Sequence, residues 1–132
     1  MSTAQQIFLV YGMIILVVGF LLGTVLGFLR MKAPAIRTLA TAHVETLMQG
    51  SMHLGLAFAV SAVGFDTTAA TWGAALLALG SAMQAIGVTL NWLTKAKDQF
   101  AERSPGFFIN SASTWIILPG LIIIVVGVLR RI

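Results

Sequence analysis

Ala42-His43-Val44-Glu45-Thr46-Leu47-Met48-Gln49-Gly50 opens the second of four long apolar segments in this sequence. Here groups capable of chemistry gather inside apolar sequence: His43, Glu45 and Gln49, with His53 just beyond. Polar and ionisable side chains are costly in a bilayer, so a cluster of them marks a candidate functional site. Whether the segment lies in a bilayer is decided by the rest of the chain.

Of 132 residues, 58% are hydrophobic and only 9% charged, and the mean hydropathy is +0.97. A soluble domain carries roughly 25% charged residues. This chain has too little polar surface to face water alone, so most of it must face lipid. It has no cysteine, which excludes disulfides, zinc–thiolate sites and iron–sulfur clusters. The pI near 10.4 would suit a nucleic-acid partner. The eight Lys and Arg stand at segment ends rather than on one face, however, which is the membrane-anchor pattern and argues against nucleic acid. The first segment lacks a basic n-region and is too long for a signal-peptide h-region.

Residues 7–29 contain no charge. At about 1.5 Å per residue they cross a hydrocarbon core of roughly 30 Å. Gly12, Gly19, Gly23 and Gly27 fall on one stripe, where small residues let another helix approach closely; glycine is also simply common in membrane helices. Tyr11 reads as an interfacial anchor near a helix end. Arg30, Lys32 and Arg37 surround Pro34, which suits a turn or the first turn of the next helix. The second span covers about 38–64, where Thr38 and Thr41 can turn their hydroxyls onto the helix backbone. Gly64 to Thr68 is a tight connection, and Asp66 or Thr67 is expected to cap the third helix.

The third span covers about 70–94. Gly73, Gly80 and Gly87 repeat every seven residues, and Gln84 and Asn91 join them, so one face is small and amide-bearing. Trp72 and Trp92 stand near its ends, as an aromatic belt places them. Residues 95–105 form the one hydrophilic loop. The fourth span covers about 107–129, with polar first turns and a kink expected at Pro119. The expected fold is all-α: one integral-membrane four-helix bundle over residues 1–132. Six Lys or Arg lie in the first and third connections and only Arg130 and Arg131 elsewhere. The positive-inside rule then places those connections in the cytoplasm and both termini outside, as in a bacterial inner membrane.

On a helix, Glu45, Gln49 and His53 form one stripe at i, i+4, i+8. His43 points to roughly the opposite side, on a face with Leu47, Gly50 and Leu54. The Glu45 stripe is expected to be satisfied inside the bundle by Gln84 or Asn91, and Glu45 itself to be either protonated or paired with His53 or a loop cation. The His43 face, smoothed by Gly50, is expected to take a flat apolar ligand. A neutral imidazole is a normal axial ligand of haem iron, its second nitrogen held by another acceptor. The competing reading of His43 is an interfacial histidine bonded to a neighbouring helix. His53 lies about 15 Å further along the axis, so the two histidines of one chain cannot take opposite faces of one haem. His53 reads as a structural hydrogen-bonding group.

The pattern Ala42-His43, five residues, Gln49-Gly50, followed by an apolar tail ending Gly64-Phe65, resembles the small four-helix membrane proteins that include styrene oxide isomerase and hydroxylaminobenzene mutase. The resemblance covers roughly residues 11–92. It implies a homotrimer with haem b between neighbouring subunits. The family's axial histidine falls on His43, which makes it the iron ligand, with Leu47 and Gly50 on the cofactor side. The family's substrate-facing asparagine falls on Gln49, with Gln84 and Asn91 as further groups to orient the substrate. The family isomerase also uses a third-helix tyrosine; here Gly87-Val88-Thr89-Leu90-Asn91 has none. The implied activity is Lewis-acid rearrangement of a small aromatic epoxide or arylhydroxylamine: an intramolecular isomerase or a hydroxyl-migrating mutase. Other readings are a b-type electron-transfer protein using His53 of another subunit, a haem sensor without the reaction, and a proton-coupled multidrug exporter using Glu45.

Overall fold

The computed structural model describes residues 1–31, 37–97 and 103–132. Lys32, Pro34 and the middle of the hydrophilic loop lie outside the described residues, and with them the turn expected at Pro34. The fold is all-α, with α1 (Thr3–Arg30), α2 (Arg37–Ala62), α3 (Thr68–Leu93) and α4 (Pro105–Leu129). Local chemistry sets the boundaries. Ser2, Thr67 and Ser104 each turn a hydroxyl back to accept from a first-turn backbone N–H, at 3.2, 3.2 and 3.1 Å. Thr67, rather than Asp66, is thus the cap of α3. At the end of α2, Gly64 takes a left-handed conformation, φ 60°. There Phe65 N–H donates to Val60 and Gly64 N–H to Ser61, a Schellman ending. Thr41 bonds the carbonyl of Arg37 at 3.1 Å, as its position suggested.

Helices α1, α3 and α4 are long and apolar enough to cross a membrane. Helix α2 is as long but is not in that group, because His43, Glu45, Gln49, Ser51 and His53 dilute its apolar run. Its path follows that of α1. Leu54 packs over Gly12, Leu47 over Gly19 and the His43 ring over Gly23, so every step along α1 is matched by an equal step back along α2. The two helices are therefore an antiparallel pair in close contact.

Helices α3 and α4 make a second antiparallel pair with a tighter seam. Gly73 meets Ile124, Gly80 meets Ile117 and Gly87 meets Asn110, while from the other side Gly120 meets Leu77 and Gly106 meets Asn91. Small residues at Gly106, Ser113, Gly120 and Gly127 recur every seven positions and are all buried. This heptad was legible in the sequence and matches the Gly73–Gly80–Gly87 heptad opposite it. The α4 helix runs unbroken through Pro119.

The two hairpins meet mainly through α3, which rests on both α1 and α2, with a small approach of α2 to α4; among the described residues the α1 and α4 backbones do not come close. The bundle is therefore open rather than closed. Its interior has three levels. Phe8, Ala57, Val60, Ala74, Leu77 and Ile124 pack one end. Leu22, Leu26, Leu39, Ala42 and Val88 pack the other. Between them lies a polar layer of buried side chains: Thr46, Gln49, His53 and Ser81.

Candidate functional site

Two separate arrangements arise from α2. The first is built on His43. Its Nδ1 lies 2.7 Å from the carbonyl oxygen of Gly19. A carbonyl can only accept, so Nδ1 carries the proton and Nε2 keeps its lone pair. The ring rests where a side chain on α1 would otherwise stand: a Cβ at Gly23 would lie 2.5 Å from His43 Cε1. His43 is only half-buried. Its Nε2 has no partner among the described residues and is not sealed inside the protein. The Gly19 carbonyl thus fixes the ring through Nδ1, and Nε2 is the ring atom left without a partner among the described residues.

The surroundings of His43 differ from expectation. The sequence places Gly50 and Leu47 on the cofactor side of a smooth open face. Instead Gly50 meets Leu16 and Ile15 of α1, and Leu47 fills the space at Gly19. That face of α2 is the α1–α2 seam, because the glycine stripe of α1 draws the two backbones together. What stays open lies one turn beyond Gly23, where a Cβ at Gly27 would meet nothing within 4 Å.

Among the described residues no group of three or more His, Asp or Glu could hold a metal ion. A bare ion therefore lacks a ligand set here. A porphyrin brings four nitrogens of its own and needs only one axial side chain.

The second arrangement is a pocket of ≈ 280 Å³ between α2, α3 and α4, lined by Glu45, Met48, Gln49, Met52, Ser81, Gln84 and Ile117. Gln84 Nε2 donates to Glu45 Oε2 across it at 3.5 Å. Of the partners foreseen for Glu45, the structure selects Gln84. Gln49 is 8% exposed and Ser81 1%. Both amide atoms of Gln49 and the hydroxyl of Ser81 are enclosed with no partner. The volume falls just under the ~300–1,000 Å³ of drug-sized ligand sites, so it suits a small molecule and not a porphyrin. A larger recess of ≈ 630 Å³, beside Arg37, Trp92, Lys95 and Lys97, lies at the ends of α2 and α3, away from both arrangements.

Asn91 does not join Gln49 and Gln84. It is fully buried in the α3–α4 seam, where its Oδ1 accepts from Ser104 Oγ at 2.6 Å. Tyr11 is likewise not an interfacial anchor. With α1 starting at Thr3, it stands about 12 Å inside the helix. Its ring lies 4.7 Å from that of His53, and its hydroxyl is enclosed. His53 donates Nδ1–H to the carbonyl of Gln49 at 2.8 Å, packs against Phe8 at 5.7 Å, and is 0% exposed. No protein-family model matches the chain, and neither a curated protein nor a solved structure is significantly similar to it.

Proposed function

We propose that the chain is a membrane-embedded haem protein that rearranges a small aromatic oxygen compound, an epoxide or an arylhydroxylamine, within the bilayer. The observation that carries this reading is His43: its Nδ1–H is pinned at 2.7 Å on the Gly19 carbonyl, and Nε2 has no partner among the described residues and is not fully enclosed. The resemblance carried by His43, Gln49 and Gly50 points to the same group, haem b. Haem bound there would supply a Lewis acid for polarising a C–O or N–O bond.

The chain's own residues then have distinct tasks. His43 holds the iron, and the Gly19 carbonyl fixes its ring orientation and tautomer. Gln49 and Gln84 present amide groups to the substrate oxygen in the second pocket. Met48, Met52 and Ile117 give that pocket apolar walls, which would keep water from a reacting substrate.

In a single chain His43 opens at the α1–α2 seam and Gln49 opens between α2 and α3. If His43 of one copy held the iron, the Gln49 pocket nearest to it would be that of a neighbouring copy. That supports a self-assembled protein, a homotrimer by the resemblance, with its sites between subunits. Helix α2 serves as the fourth span, because it is antiparallel to α1 over the pairs from Gly12–Leu54 to Gly23–His43. Its buried polar groups, Thr46, Gln49 and His53, then lie at membrane depth, faced by protein rather than lipid. The cationic first and third connections face the cytoplasm of a bacterial inner membrane and both termini face outward.

The test is a visible spectrum of the detergent-purified protein, followed by turnover of aryl epoxides and arylhydroxylamines. A Soret band with an exchangeable sixth position and product formation is the expected outcome. A colourless preparation after haem supplementation overturns the reading.

A further inference from the structure

The Gln49 pocket has a hydrogen-bonding inventory that the chain itself leaves open. Gln49 offers an acceptor in Oε1 and two donor hydrogens on Nε2, and none of them has a partner; Ser81 Oγ can do either and has none. Across the pocket, Glu45 has one carboxyl oxygen on Gln84 at the long distance of 3.5 Å. Enclosed groups of this kind are normally paired, and leaving one unpaired in an apolar surrounding is expensive.

Water alone is a poor occupant. At about 30 Å³ each, roughly nine waters would fill the space. A buried water needs two to four polar partners, and Met48, Met52 and Ile117 provide none. The pocket opens past Met48 and Met52, which are 66% and 38% exposed, toward the outside of the chain. An apolar body can enter that way and rest on the methionines while its head reaches Gln49.

We propose that this pocket selects aromatic ligands whose polar head carries an N–H or O–H donor next to an acceptor, as amides, hydroxamic acids and hydroxylamines do, and discriminates against heads that only accept, such as epoxides and esters. The inference rests on the reading of this pocket as the substrate pocket and does not require the haem. A donor–acceptor head pairs with both atoms of the Gln49 amide at once. An ether or ester oxygen reaches only Nε2 and strands Oε1. Removing one partner from a buried acceptor weakens binding by about tenfold or more, and sites built to bond an N–H or O–H reject analogues lacking it by larger factors.

The test is equilibrium binding of two matched probes, benzamide and methyl benzoate, to the full chain in nanodiscs, with empty nanodiscs subtracted. Benzamide is expected to bind at least tenfold tighter. Gln49→Met, which keeps side-chain length and removes both amide groups, is expected to erase that preference. Ser81→Ala is expected to reduce it without erasing it. Equal affinities, a preference that survives Gln49→Met, or the absence of saturable binding by either probe overturns the proposal. The wild-type comparison decides the matter even if a variant fails to fold. The visible spectrum of the same preparation separates the two readings. Colourless protein that prefers benzamide loses the haem and keeps the pocket, and coloured protein without the preference does the reverse.

Discussion

The two hairpins use the same device to different ends. In α3–α4, small residues from both helices interlock: Gly73, Gly80 and Gly87 receive Ile124, Ile117 and Asn110, and Gly120 and Gly106 receive Leu77 and Asn91. That seam encloses what fills it, the unpartnered Asn91 Nδ2 and Asn110 Oδ1 included, and it serves as a scaffold. In α1–α2 the glycines lie mainly on α1, and the last one filled receives a ring rather than an aliphatic chain. There the close approach of two backbones lets a carbonyl of one helix hold an imidazole of the other. A glycine seam thus becomes a candidate site when what fills it has a second functional end.

This contrast can be broken in several places. The largest effect is expected from His43→Ala, which should abolish haem retention while helicity by circular dichroism is kept, since the ring is only half-buried and outside both apolar clusters. Full Soret absorbance in that variant would remove the basis for calling α1–α2 functional. Next comes Gly106→Ala in the scaffold seam. Its Cβ would run into the backbone carbonyl of Gly87, which cannot turn aside as a side chain can. Overpacking of this kind costs about 1–3 kcal/mol, to be read as a lowered unfolding midpoint in detergent, with haem content per folded chain unchanged.

Gly23→Ala should act on the other hairpin. Its Cβ displaces the His43 ring, and a side chain can yield where a backbone cannot. The expected result is a several-fold loss of haem affinity in titrations with little change in unfolding midpoint; a stability loss matching that of Gly106→Ala would make the two seams equivalent. The smallest effect belongs to Gly27→Ala. With nothing within 4 Å of its Cβ, it should be neutral or stabilising by up to about 1 kcal/mol, the helix propensity of Ala over Gly. Destabilisation there would show that an unseen surface covers Gly27.

Some of this was open to inspection in the residues alone. Hydrophobic runs bounded by Arg, Lys and Pro located the helices to within a few residues, because length and capping are local properties. The Glu45–Gln84 contact was one of the pairings foreseen, since Glu45, Gln49 and His53 share one stripe of α2. Other features were written in the sequence but easily passed over, above all the heptad of Gly106, Ser113, Gly120 and Gly127. Still others had no local signal. Asn91 shares the spacing of Gln84, yet it is turned to Ser104 because α4 packs there. Tyr11 looks like a boundary residue until His53 is found against it.

Composition and periodicity by themselves determined that this is an all-helical chain of four long segments, rich in apolar residues, with a polar cluster on the second. Those properties follow from the burial preferences of side chains and from the 3.6-residue turn, which act within each segment. That only three of the four helices are apolar enough for a membrane came with the structure. Only the tertiary structure decided which glycines face which side chains, and with that the separation of His43 from the Gln49 pocket. Helix pairing depends on backbones meeting across long stretches of chain, and a row of small residues permits such a meeting without naming its partner.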